Sequence, residues 1–422
     1  MLARNGIAVT LIEMRPKKMT PAHSTGLPAE LVCSNSFKSQ VLPNAHGLLK
    51  EELTSLDSPL IAAARATAVS AGSALAVDRL VFSGAVDELL AAQPNITRVC
   101  AECIEPPKDA AVLIAAGPLV SDGLAAWIGA ITGSEKLHFY DAVAPVIAAD
   151  SIDMNIAFLA SRRETVTADY INCPFTKDEY LRFFSALVEA DTVHAHEFEE
   201  ARFFEGCLPV EVIASRGEKA LSFGPMRPIG LTDPKTGRWP YAVCQMRAET
   251  NSREAYNLVG FQTRLRIPEQ ERVFRMIPGL QNAEFVRWGS IHRNTYIDSP
   301  AVLNTDFSFR NRPDVWCAGQ LCGNEGYTES IATGHLSALY ILGRLTGKNI
   351  DLPPDTTAIG ALAAHVTGSI AKSFTPSGAH FGLFPAIPKV RHDTIGKKER
   401  QCIRAQEDFK KWRAMVHTAL FA

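Results

Sequence analysis

The chain has 422 residues, 46% apolar and 21% charged, with a formal net charge of -2. At roughly 100 to 200 residues per domain this length predicts two or three domains, and the composition excludes a small disulfide scaffold, a coiled coil and wholesale disorder. The balanced charge leaves nucleic-acid contact to local patches, nine scattered cysteines without framework spacing point to a reducing, cytoplasmic setting, and no apolar run reaches the ~18 residues of a membrane span.

In chain order, Leu2 to Arg4 read as the last turn of a helix stopped by Gly6, and Ile7 to Glu13 as a buried strand ending in an acidic residue. A carboxylate at that place is what a dinucleotide-binding fold uses to accept hydrogen bonds from an adenosine ribose, although an ordinary solvated strand end has the same pattern. Only Met1 to Gly6 precede this strand. The first strand and G-x-G-x-x-G turn of such a fold are therefore missing from it, so the chain reads as beginning inside a domain.

Cys33, among small polar residues in the loop Val32-Cys33-Ser34-Asn35, is a candidate reactive thiol. Gly47 to Leu53 read as helix, Ser73 to Arg79 as a lead into a helix running through Leu90, and Ala110 to Ala116 as a buried strand closed by Gly117-Pro118. Residues 138–300 are more polar and turn-rich and read as an α+β domain inserted between the two parts, 1–137 and 301–422, of an α/β domain. Within the insert, Cys207 lies between Gly206 and Leu208-Pro209 near two carboxylates, a setting that suits a buried structural thiol as well as a reactive one.

Past residue 300, Val315 to Gln320 read as a short strand ending at Gly319, and Glu325 to Gly334 open a helix continuing to Leu345. A strand, a close-approach glycine and a helix N-terminus meeting at one point make a seat for an anion or a flavin ring. The stretch 389–413 carries nine Lys/Arg against four Asp/Glu with Phe409 and Trp412 interleaved, which reads as a phosphate-facing patch or as a solvated amphipathic helix. Cys100-x-x-Cys103 lacks a second pair at zinc spacing and His194-Ala195-His196 stands alone, so no metal site is expected.

Taken in order, Leu11-Ile12-Glu13-Met14-Arg15-Pro16, Ala29 to Ser36, Ala74 to Arg79, Asn172-Cys173-Pro174, Gly206-Cys207-Leu208-Pro209, Phe223 to Pro228, Val259 to Thr263, Arg275 to Gly279, His292 to Thr295 and Gly326-Tyr327-x-Glu329-Ser330 resemble the folate-dependent tRNA uracil-5-methyltransferases, the flavoenzymes called TrmFO or Gid. The resemblance runs from about residue 1 to residue 400 and implies a Rossmann-type FAD-binding α/β domain, lacking its N-terminal glycine turn, with an inserted tRNA and substrate domain. It implies FAD as carrier, 5,10-methylenetetrahydrofolate and NAD(P)H as co-substrates, and uridine 54 of the tRNA T loop as target, with no obligate protein partner. By the same resemblance Cys207 matches the nucleophilic cysteine and Cys33 its partner thiol, Glu13 holds the FAD ribose, Gly319, Gly326 and Glu329 lie against the flavin, and Lys397, Lys398 and Arg400 meet tRNA phosphates. The stretch Phe374 to Leu383 departs from the family pattern. That departure and the missing glycine turn also fit an inactive tRNA-binding remnant that no longer takes FAD. A protein of the related GidA type, acting on the wobble uridine, is the third reading.

Overall fold

The computed structural model describes residues 1–133, 137–162, 168–193, 208–368, 374–388 and 395–421. The chain enters through a single 3-10 turn, Ala3–Asn5, closed by Gly6 at φ 78°, a left-handed conformation that a side chain would strain. Strand Val9–Glu13 follows and pairs in parallel with Ile96–Cys100, from Val9 opposite Ile96 to Glu13 opposite Cys100. A second parallel pair joins Val112–Ile114 to Arg312–Cys317, with Ser308–Phe309 added antiparallel. Helices Ala45–Ser55, Asp122–Thr132, Tyr327–Thr346, Ala358–Thr367 and Lys397–Phe421 pack around the second piece, and Leu48, Trp316, Leu336, Leu362 and Trp412 share its core.

These strands do not form one sheet among the described residues, and that changes their burial. A parallel strand in a layered α/β fold is covered on both faces. Here Val9–Glu13 alternates half-buried with exposed residues, leaving Ile12 41% exposed. In the same way Ala115 and Ala116 are exposed beyond Val112–Ile114, where a buried strand is expected from sequence. The cause is topological: among the described residues Val9–Glu13 and Val112–Ile114 each have a partner on one edge only.

A small antiparallel sheet, ordered Ser36–Ser39, Ala74–Val77, Ala68–Val69, packs under helix Arg79–Ala91, whose first turn is capped by Asp78. Leu31, Phe37, Leu75, Val77 and Phe82 fill the space between them. The chain then crosses to a second body along Leu137–Val143 and returns along Ser290–Tyr296, and these two strands pair antiparallel over their full length. Between the crossings lies a six-stranded antiparallel sheet ordered Phe285–Arg287, Val146–Ala148, Ala255–Leu258, Ala242–Ala248, Tyr170–Phe175, Phe158–Ala160. Its helix Lys177–Val188 starts in a Thr176/Glu179 capping box and lays Phe183 and Leu187 into a core with Cys173, Cys244, Phe261 and Phe274.

One buried carboxylate ties the first body together. Glu52, 2% exposed, accepts from the backbone N–H of Ala358 at 2.8 Å and of Ile359 at 2.7 Å, capping the first turn of helix Ala358–Thr367 from a distant part of the chain. Burial outweighs those two hydrogen bonds and raises its carboxyl from 4.5 to about 8. Glu52→Ala leaves two buried N–H groups without acceptors and is expected to lower stability by about 2–4 kcal/mol, read as a lower urea midpoint. Because the folded value lies above the unfolded one, the stabilisation this carboxyl contributes is full below pH 4.5 and is lost as pH rises toward 8. Glu52→Gln should remove that slope from a pH series of melts.

Candidate active site

The thiol at Cys33 sits where the two bodies meet, and its loop is fixed from several sides. Arg79, the first residue of helix Arg79–Ala91, donates to the Leu31 and Val32 carbonyls at 2.8 and 3.1 Å. On the insert, Arg247 donates from Nε to Asn35 Oδ1 at 2.9 Å and from Nη2 to Ser34 Oγ at 3.1 Å, and Asn35 in turn donates to the Ala248 carbonyl. Glu249, just past that strand, pairs with Arg79 at 2.7 Å. Cys33 Sγ lies 3.0 Å from the hydroxyl of Tyr327, which also accepts from the Cys33 backbone N–H at 3.2 Å. Burial, then the charge of Cys33, pushes the Tyr327 phenol well above its ordinary range, so it stays a proton donor.

Tyr327 follows a turn that only glycine can make at two points. Gly319 has φ 79° and ψ -159°, and Gly326 has φ 124° and ψ 158°, a region essentially closed to other residues. A Cβ at Gly326 would also collide with the Glu329 carboxylate. Thr333 Oγ1 accepts from the Gly319 N–H at 3.0 Å, and Asn324 Nδ2 donates to the Gly319 carbonyl at 3.2 Å and to Thr333 Oγ1 at 2.8 Å. Asn324 Oδ1 is left buried without a hydrogen-bond partner among the described residues. A buried carbonyl oxygen in that position is held ready to accept from a bound group.

Glu13 stands apart from this junction, at the end of its strand and 40% exposed. Arg15 donates to Glu13 Oε1 from its backbone N–H at 3.0 Å and from Nε at 3.2 Å, and to Oε2 from Nη2 at 3.2 Å. Burial would raise this carboxyl, but the Arg15 hydrogen bonds and charge hold it below the usual range. Arg15 reaches on to Glu30 at 3.3 Å, and Glu30 accepts from Ser24 and Thr25, so the acceptor is oriented by the whole following loop.

The other expected site residues are placed as follows. Glu329 is 1% exposed; His46 Nδ1 lies 3.1 Å and Lys38 Nζ 3.7 Å from its Oε1, and the Ala379 N–H donates to it at 3.0 Å. Lys397 and Lys398 are exposed in the first turn of helix Lys397–Phe421, and Arg400 is half-buried one turn on. The aromatics of that helix correct the sequence reading: Phe409 and Trp412 are 4% and 1% exposed in the core, where the Trp412 indole N–H donates to the Asp351 carbonyl at 2.8 Å. They form the apolar face of the helix and do not face a nucleic acid. Cys207 and the His194-Ala195-His196 pair lie outside the described residues, as do residues 389–394 of the basic tail. Among the described residues no group of His, Cys, Asp and Glu could hold a metal ion, and no helix is long and apolar enough to cross a membrane. Sequence reasoning passed over Arg79, Arg247 and Glu249. Arg79 carries a signal in hindsight, since a cation at a helix N-terminus opposes the dipole and so needs its partner elsewhere.

A family model described as glucose inhibited division protein A matches residues 1–349. A methylenetetrahydrofolate--tRNA-(uracil-5-)-methyltransferase TrmFO from Lactobacillus acidophilus is 49% identical over 404 residues, covering 94% of this chain and 92% of the relative. The chain belongs to the TrmFO family. A TrmFO of Heliobacterium modesticaldum is 50% identical over 407 residues, covering 96% of this chain and 92% of that one. Among solved structures, Aquifex aeolicus GidA superposes with a TM-score of 0.66 at 13% identity, covering 100% of this chain and 71% of its own. That likeness is one of fold, a Rossmann-type α/β architecture, and it agrees with the parallel and antiparallel sheets described above.

The residues present in this TrmFO chain fit two parts of FAD. Glu13 offers an oriented, ionised and accessible acceptor of the kind a ribose takes. The Gly319–Gly326 turn offers a close backbone approach, the unpaired Asn324 Oδ1 and the N-terminus of helix Tyr327–Thr346.

Proposed function

We propose that this chain methylates C5 of uridine 54 in the tRNA T loop, with the one-carbon unit from 5,10-methylenetetrahydrofolate and NAD(P)H as reductant, in the cytoplasm. The observation that carries the reading is collinear identity near half over nearly the whole length of relatives bearing that enzyme name, and the junction around Cys33 supplies the matching chemistry. Bound FAD would carry the one-carbon unit and the electrons that complete the methyl group.

The chain's own residues have three tasks. The first is to make uracil C5 nucleophilic, which a thiolate does by adding to C6; Cys207 is the residue for it. The second is to remove the C5 proton once the new carbon bond has formed, which we assign to Cys33, oriented by Tyr327 at 3.0 Å. The third is to hold cofactor and RNA: Glu13, Gly319, Gly326 and Glu329 on the FAD side, and Lys397, Lys398 and Arg400 for phosphates, with residues 138–300 as the body that presents the tRNA. The target base must leave its stack to reach a thiol placed between two bodies.

The first test is the visible spectrum of the purified chain before and after excess FAD, followed by a methylation assay on tRNA with labelled methylenetetrahydrofolate. A bound-flavin spectrum and label on C5 of uridine 54 are expected. Tight tRNA binding with neither flavin uptake nor label would instead establish the inactive remnant, and label on the wobble uridine would establish the GidA-type reading.

A further inference from the structure

The insert exposes an aromatic ring that its own packing does not use. In the short helix Ala220–Phe223, Leu221 and Ser222 are buried, while Phe223 is 76% exposed. The chain folds back directly behind it. A Cβ at Gly224 would meet the Ala220 carbonyl oxygen at 2.7 Å, and two residues on, the Met226 carbonyl accepts from the Val243 N–H at 2.9 Å. A lone exposed ring is ordinary. This one lines an open cleft of about 450 Å³ together with Arg216, Gly217, Glu218, Lys219 and Ala220, so two cations share the cleft with one carboxylate and the ring.

The positive charge is local. The whole chain carries -2, whereas residues 215–240 hold five Lys/Arg against two Asp/Glu. One of those two, Asp233, is 7% exposed and spends its carboxylate on its own turn, accepting from the Lys235 N–H at 2.9 Å and from the Thr236 hydroxyl at 3.1 Å. That turn leads to a second exposed aromatic, Trp239, and Tyr180 ties this strand end to the cleft: its hydroxyl donates to the Glu218 carbonyl, and its ring lies 5.1 Å from that of Tyr241. Cations interleaved with exposed rings track a nucleic-acid backbone and stack its bases. An apolar protein partner would instead have to cover Arg216 and Lys219 at the cost of their hydration.

The chain joins this cleft to both candidate thiols. Helix Val210–Ala214 leads to it from Leu208-Pro209, the residues that follow Cys207 in sequence, over about 8 Å of helix. On the other side, Val243 and Arg247 share strand Ala242–Ala248 about 13 Å apart, and Arg247 holds the Cys33 loop. We propose that the Arg216–Lys219–Phe223 cleft is an RNA-contact site, in which Phe223 stacks on an unpaired base of the bound tRNA and Arg216 and Lys219 take neighbouring phosphates. It rests on the reading that this chain acts on tRNA, and not on flavin occupancy or on the roles of the two cysteines.

The test is the dissociation constant of an unmodified tRNA transcript for the full chain, measured by filter binding across a salt series. Phe223→Ala should weaken binding about tenfold and leave the slope of log Kd against log salt unchanged, because stacking releases no counterions, and Phe223→Tyr should recover most of the loss. The double variant Arg216→Gln with Lys219→Gln should weaken binding and lower that slope by about one to two. These side chains are exposed, so the variants should melt with the unmodified chain; if Phe223→Ala does not fold, the double variant decides. An unchanged constant in Phe223→Ala, or an unchanged slope in the double variant, overturns the proposal while tRNA binding by the unmodified chain stands. Absence of tRNA binding by the unmodified chain at low salt overturns the tRNA reading itself.

Discussion

Cys207→Ala is expected to abolish methyl transfer to tRNA, by on the order of a thousandfold or more, while leaving flavin uptake and tRNA binding intact. The size follows from the chemistry. C5 of uracil is the far end of a conjugated amide and has little nucleophilic character until a sulfur at C6 converts it into an enolate carbon. No hydroxyl or amine substitutes well for a thiolate in that addition. The two cysteines should then separate in a denaturing gel. The Cys207 variant forms no covalent protein–RNA species, whereas Cys33→Ala still adds to the base, loses the C5 proton slowly and accumulates the adduct. Wild-type label transfer in the Cys207 variant would end the assignment of this residue as nucleophile. An adduct that persists in that variant and vanishes in Cys33→Ala would exchange the two roles.

What could be read from the sequence depended on how local its cause was. Gly6 as a stop, the strand ending before Gly319 and the helix opening at Tyr327 were all legible, because a left-handed glycine and a β-branched run state their conformation without help. Burial of Val9–Glu13 was misjudged, since a strand's exposure is set by whichever strands flank it and not by its own residues. Phe409 and Trp412 failed for a related reason. A basic helix with apolar residues at helical spacing has the same pattern whether that face meets RNA or a core, and only the packing against the segment at Asp351 decides. The cations around Cys33 were the least legible. Nothing in Ala242–Ala248 announces that Arg247 meets Asn35 and Ser34 in a loop near the N-terminus, because they lie 212 and 213 residues away in sequence and meet it only where the two bodies touch.

Glu329→Leu is expected to lower stability by about 3–5 kcal/mol, the cost of removing one partner from a buried charge cluster. Lys50 lies fully buried nearby, its ammonium donating to the Ser39 and His46 carbonyls, and burial has already lowered it from 10.5 to about 8 despite the attraction of Glu329. Without that carboxylate, the repulsion between buried Lys50 and half-exposed Lys38 is no longer offset and the Ala379 N–H loses its acceptor. The pH dependence has the opposite sign to that of Glu52. Burial would raise the Glu329 carboxyl, but Lys38, His46 and the Ala379 N–H bring it from 4.5 down to about 2. Its stabilisation is therefore complete above pH 4.5 and is lost as pH falls toward 2, so chemical melts of the two proteins should converge in acid. Glu329→Gln separates the structural role from the cofactor role that the family resemblance implies. The amide keeps an oxygen for the Ala379 N–H and the shape of the site, so a variant that melts close to the unmodified chain yet takes up no FAD places this carboxylate in cofactor binding. A variant that binds FAD normally but melts early confines it to the ion cluster beneath the Gly326 turn.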